Sequence, residues 1–479
     1  LKALPLRMAA YSAACTVLLL TSCAPMQPAP DTAPAMRNIA PLAVDAKPDT
    51  TYGWPEAQWW QNYHDTTLDA LVQRALESGP RIATAMARLE SADQDLRAQR
   101  AALGFRADFN AEYEQRRLSD NGLLPARLLG FNWYDQSSLD ITIRHQFDWW
   151  GKQRAAVTAG VDRSRAVAAE AQATSLGLAA AVCEAYWEWQ AAGSRITLRE
   201  HGSELLLQAL QLAEHRARAN LDSNDTVLGV QRMQAVYAEQ VAALRGEQQL
   251  RIVILAALLG VSATELPALA ITTLPAPLAE LPADAGINLL SHRPDVMASR
   301  WRVEAAIQDR QRARAAFYPD VSLHVLAGLS SVDLGRLLRS DSAAPAAGLA
   351  FSLPLFDSGL LRARHGIAQA ELASAVATYH SAVVAAAQET GSAVVRLRQL
   401  HAQREQRRQQ LELTRALYRQ AERRATAGLA NLRPQLEAKL AELDEQDAVL
   451  QLDLGILLAD VQLQHALGGQ PQPTTGKQR

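Results

Sequence analysis

Cysteine is scarce: Cys15, Cys23 and Cys183 are the three in the chain, and no CxxC pair or metal-ligand spacing joins them. A zinc site or a disulfide framework is therefore excluded as an organising principle. Aromatic residues make up only 5%, and the ten histidines are scattered without ligand spacing. Net charge is −2, so neither polarity of charge dominates and nothing in the balance points to nucleic acid as a partner. No Ser-His-Asp arrangement, glycine-rich phosphate loop or paired catalytic carboxylate stands out, and an enzyme reading has nothing to rest on. What remains is a composition dominated over long tracts by Ala, Leu, Gln, Glu and Arg, the composition of long helices.

The first residues read as a processing signal. Lys2 and Arg7 precede an apolar run from Ala9 to Leu20, too short to span a bilayer. It ends in Leu20-Thr21-Ser22-Cys23, which resembles a bacterial lipobox, so a signal over 1–22 and a lipid on Cys23 are expected. An ordinary signal with an incidental Cys23 is the alternative, and Leu1 leaves Met8 open as another start. Residues 23–63 form a Pro/Ala/Asp/Thr tether followed by Trp54 to Tyr63, four aromatics in ten residues that read as a docking segment.

Beyond it, Leu68, Leu71, Val72, Ala75 and Leu76 repeat at helical spacing, interrupted at Gly79-Pro80. At Gly104 the period becomes two. Phe105, Ala107, Phe109, Ala111 and Tyr113 alternate with polar residues, and a second run carries Leu139, Ile141, Ile143, Phe147 and Trp149 on one face. Strands are predicted near 105–115 and 137–149. A helical tract from Lys152 to Arg218 follows, on the order of 100 Å long. It breaks at Asn220 to Ser223, where Ser223 or Asn224 is placed to cap a return helix ending at Gly260. A Pro-rich linker covers 267–284. The order then repeats: helix 293–316, strands near 319–330 and 347–356, a second long helix, a break at Gly428, and a return ending at Leu467-Gly468. Arg154 with Arg362, Asn220 with Gly428, and Leu259 with Leu467 share one offset of 208, the mark of a duplicated unit. The repeats are assigned to 64–266 and 285–469, with a tail at 470–479.

Each predicted strand has one apolar and one polar face. A half-wet soluble sheet is the default reading. Against a secretion signal and with only four strands available, the transmembrane-barrel pattern fits better. Four strands cannot close a barrel, so the chain must associate; two copies give eight strands and three give twelve. Pro354 ends the last strand, and Asp357 or Ser358 starts the helix after it. The seam at Trp150-Gly151 lacks a proline and is expected to bend differently from the one between Pro354 and Gly359.

Several motifs then converge. They are Arg293-Pro294-Asp295-Val296, Tyr318-Pro319-Asp320, Pro354-Leu355-Phe356-Asp357-Ser358-Gly359 with Arg362-Ala363, and Ala466-Leu467-Gly468-Gly469. Together they resemble the TolC-like outer-membrane efflux channels, in their NodT-type lipoprotein branch. Trp54-Pro55 to Trp59-Trp60, followed by Leu68-Asp69-Ala70-Leu71, is similar to the MdtP-type members. The resemblance implies a mostly helical, internally duplicated chain whose four strands enter a trimeric 12-stranded transmembrane β-barrel. It further implies a homotrimer in the outer membrane, no cofactor beyond the lipid on Cys23, and a periplasmic adaptor and inner-membrane efflux pump as partners. Adaptor contacts map to Asn220, Leu221, Ser223, Gly428, Leu429 and Asn431. Where the family places an acidic gate residue this chain has Pro434, and Glu437 is the candidate, with Arg433 placed to pair with it instead. The function implied is a passive duct for small toxic compounds. A protein-secretion duct and a lipid-anchored coiled-coil adaptor are the alternatives.

Overall fold

The computed structural model describes residues 55–119, 121, 129–277, 293–429 and 432–468. The signal, Cys23, Trp54, Asn431 and Gly469 lie outside them. The described chain divides into two compact units, one from 90–166 and 299–379, the other from 55–89, 167–298 and 380–468.

The first unit holds a four-stranded antiparallel sheet in the order β1-β2-β3-β4, with β1 Arg106–Arg117, β2 Trp133–Phe147, β3 Asp320–Ser331 and β4 Ala346–Ser352. The strands follow the period-two stretches to within two residues except at two ends. β2 starts at Trp133, four residues before the predicted 137, because Arg117 still finds a partner there. β4 stops at Ser352 rather than 356, since Pro354 cannot donate to a ladder. Register pairs Phe109 with Ile141 and Ile141 with Ala327 on one face. Asn110, Asp140 and Gly328 form the next row, on the other. The apolar face is uncovered in the single chain: Phe109 is 69% exposed and Leu349 72%. β1 and β4 are both free edges of this sheet.

Seven α-helices lie among the described residues: α1 Thr66–Ser78, α2 Pro80–Ala101, α3 Lys152–Arg218, α4 Asn224–Leu259, α5 Pro294–Ala315, α6 Leu360–Thr426 and α7 Leu432–Leu467. α3 and α6 are both 67 residues long, and α4 and α7 both 36. All four pairs of ends keep the offset of 208. The elements before them keep a different one, 214, which relates α2 to α5 and β1 to β3 at both ends. The six-residue difference is absorbed between the first strand of each repeat and its long helix. Duplication thus holds in the helices and relaxes in the strand-connecting loops, where length is cheap to change.

The core of the second unit gathers Trp59, Trp60 and Tyr63 with Leu68, Leu71 and Val72, against Leu178, Val182, Tyr186 and Trp187 of α3, Leu255 and Leu259 of α4, and Leu457 and Val461 of α7. The aromatic segment docks here because it carries large apolar area and a Tyr63 hydroxyl that finds a partner, whereas the buried Trp59 indole N–H has none among the described residues. Tyr63 Oη donates to Asp460 at 2.6 Å, and Tyr186 Oη to Asp65 at 2.8 Å. Asp65 also caps α1 by accepting from the Thr67 and Leu68 amides. Burial and the Asp460 charge hold the Tyr63 phenol well above its usual range. The stretch read as a linker is held too. Gln190 donates to the Ala270 carbonyl at 2.9 Å and accepts from the Thr272 amide at 2.8 Å.

Candidate functional sites: hairpin tips and strand–helix junctions

Both hairpin tips are Schellman turns. At the first, the Asn220 amide donates to the Ala217 carbonyl at 3.0 Å and the Leu221 amide to that of Arg216 at 2.9 Å. At the second, Gly428 and Leu429 repeat these bonds to Ala425 and Arg424 at 3.0 and 2.9 Å. Asn220 has φ 54° and Gly428 φ 69°, the left-handed region. Glycine enters it freely and asparagine at small cost. Leu221 (64%) and Leu429 (79%) project from these turns into solvent. Ser223 is the N-cap residue of α4, but its side chain makes no capping hydrogen bond.

The side chains around the turns differ. Arg216 grips Asp222 across the first turn, Nε to Oδ2 at 2.7 Å and Nη2 to Oδ1 at 3.3 Å. This hydrogen bond, with the charges of Arg216 and Arg433, holds the Asp222 carboxyl below its usual range. Arg433 itself donates to Glu437 at 2.8 Å, both exposed. In this chain, then, Glu437 is tied in the i,i+4 pair that the spacing allowed. Three arginines of α6 pair with carboxylates of α7: Arg404 with Asp453, Arg407 with Glu445 at 3.1 Å, and Arg415 with Glu442 at 3.5 Å.

Two charged clusters escaped sequence reading. Arg195 and Arg199 of α3 converge on Asp447 of α7, at 2.7 and 2.8 Å, and Arg199 also pairs with Asp444. The Asp447 side chain is 3% exposed. Burial pushes its pKa up, but the two arginines more than offset this and hold it below the usual carboxylate range. Arg293, 4% exposed, binds Asp295 and Glu389, each at 2.7 Å, and donates to the Ala466 carbonyl at 3.1 Å. This contact brings two of the sequence motifs, Arg293 to Val296 and Ala466 to Gly468, into one place. Helix periodicity cannot reveal such pairings, because the partners lie on helices far apart in sequence.

The strand–helix junctions are built differently. At the first, Asp148 accepts from the Gln153 and Arg154 amides at 3.0 and 2.8 Å, and Gly151 turns the chain with φ 74°. Trp150 stacks on Tyr318 with centroids 4.8 Å apart and donates to the Pro319 carbonyl at 2.9 Å. At the second, beyond Pro354, Asp357 accepts from the Gly359 and Leu361 amides at 2.9 and 2.7 Å. Ser358 and Gly359 are both left-handed, at φ 55° and 89°. One left-handed residue serves the first junction and two the second.

A family model described as outer membrane efflux protein matches residues 71–261 and 287–469, one stretch in each repeat. The multidrug resistance outer membrane protein MdtQ of Escherichia coli is 31% identical over 468 residues, covering 95% of this chain and 96% of the relative. MdtP of Escherichia coli is 30% identical over 431 residues, 87% of each. Among solved structures, the outer membrane protein VceC of Vibrio cholerae aligns with a TM-score of 0.79 at 30% identity, over 87% of this chain and 100% of VceC. The outer-membrane channel OprN aligns at 0.83 and 25% identity, over 92% and 99%. The chain belongs to the outer membrane efflux protein family.

Proposed function

We propose that this chain is the outer-membrane duct of a tripartite efflux system, working as a homotrimer. Its place is the outer membrane, and its class is that of efflux channels. The observation that carries the trimer is the sheet. Four strands leave two edges unpaired and an apolar face bare. In a bilayer every backbone group must find a partner within protein, so an isolated sheet of this kind cannot persist there. Three copies give twelve strands and close the edges around the polar face. The 67-residue helices that leave β2 and β4 then continue the conduit into the periplasm. The exposed leucines of the two tips, Leu221 and Leu429, offer the adaptor an apolar grip flanked by charge. A lipid on Cys23 tethers the chain, and an inner-membrane pump supplies the energy and selects among small toxic compounds. Transport through the duct itself is passive.

The test is a deletion strain profiled against drugs and dyes and complemented with the wild type. Heightened susceptibility restored by complementation is expected. Unchanged susceptibility with loss of a secreted protein would instead assign the duct to protein secretion.

A further inference from the structure

On the polar face of the sheet, three of the four residues of one row are basic. Arg106 of β1 lies opposite Arg144 of β2, Arg144 opposite His324 of β3, and His324 opposite Gly348 of β4. Like charges set directly across an antiparallel pair destabilise it, so this row is a cost that the fold alone does not explain. Nor is it neutralised in place. Arg106 is 78% exposed at its side chain and reaches back to Asp108, one row along, at 3.0 Å. Arg144 is exposed and has no ion-pair partner among the described residues. Among the described residues, the one hydrogen-bond partner of the His324 ring is the hydroxyl of Ser322, at 2.9 Å.

The remaining carboxylates of this face are set apart. Asp140 is four residues along β2 from Arg144, about 14 Å at strand rise. That exceeds the screening length of about 8 Å at physiological salt. Asp140 is occupied as well, accepting from Asn110 and Thr142 at 2.9 Å each. Apart from Asp108, which pairs with Arg106, the carboxylates of this face therefore lie at other levels than Arg144.

We infer that the row Arg106–Arg144–His324 is an anion-contacting belt inside the barrel. At its level, solutes bearing a carboxylate, sulfonate or phosphate group are favoured over cations. The inference rests on the trimeric duct, in which closure repeats the row three times around one lumen. A ring of arginine side chains lining a pore sets selectivity for anions.

The test is the reversal potential of the lipidated protein in planar bilayers across a potassium chloride gradient at fixed pH. Arg144→Gln should shift the chloride-to-potassium permeability ratio toward potassium by about twofold or more, and Arg144→Glu further. Arg106→Gln, which frees Asp108, should shift it the same way and serves where an Arg144 variant fails to insert. Channels of normal conductance whose reversal potential ignores all three substitutions overturn the belt alone. A wild type that inserts but carries no current overturns the duct, and the belt with it.

Discussion

The two repeats share a backbone and divide the charges between them. α3 and α6 have the same length and the same offset, yet Arg195 and Arg199 of the first correspond to Gln403 and Arg407 of the second. On the return helices, Asp444 and Asp447 correspond to Val236 and Glu239. The first hairpin thus supplies the cations of the buried cluster and the second its carboxylates. At the tips the division continues. The first turn uses Asn220 and an Arg216–Asp222 clasp, whereas the second uses Gly428 and moves its charges into α7. A duplicated fold therefore need not duplicate its electrostatics. Once the backbone is fixed twice, each copy can evolve toward the other.

The largest effect should come from breaking the shared cluster. Asp447→Ala leaves Arg195 and Arg199 without their buried partner, and a loss of about 3–5 kcal/mol is expected in denaturant unfolding. Glu239→Ala, at the matching place in the first hairpin, should cost far less. The pH dependence follows from the lowered Asp447 pKa. Stability from this pair is present above the unfolded aspartate value of about 3.9 and is lost as pH falls through the lower folded value. The wild type should therefore converge on the variant in strong acid, and not at pH 6.

Next come the turns. Gly428→Ala meets no atom within 4 Å, so its cost is backbone strain alone, about 1–2 kcal/mol. Asn220→Gly should be close to neutral. Amide exchange at the two tips distinguishes them: it should rise around Leu429 in the first variant and stay unchanged around Leu221 in the second.

A smaller effect is expected from Asp222→Asn, which releases the clasp. Exchange at the Leu221 amide should accelerate at neutral pH while Leu429 is unaffected. Because the Arg216 bond lowers the Asp222 pKa, the difference should disappear only in acid, below the unfolded aspartate range. Smallest of all is Glu437→Gln. Its exposed pair with Arg433 contributes too little for thermal unfolding to register the change.

Much of this architecture was legible in the chain. Alternation marked all four strands, and the single offset of 208 related the first long helix and its tip at Asn220 to a second long helix and a tip at Gly428. Pro354 and Asp357 announced the second junction, because proline and a capping carboxylate act locally. Less legible were features that depend on partners remote in sequence. The Trp150–Tyr318 stack, the Arg293–Ala466 contact and the Asp447 cluster join residues 168 to 252 positions apart. The second offset of 214 was hidden for another reason, since the motifs that set the first all lie after the strand loops. The Gln190 bonds to Ala270 and Thr272 were equally hidden, for a Pro-rich composition says nothing of what it packs against.

The central claim is that four strands become a membrane pore only when three chains share one barrel. Native mass measurement of the protein released from detergent tests it most directly. Three chains per particle, with no stable monomer or dimer, is the predicted result. A particle of one or two chains that still conducts in bilayers would contradict it.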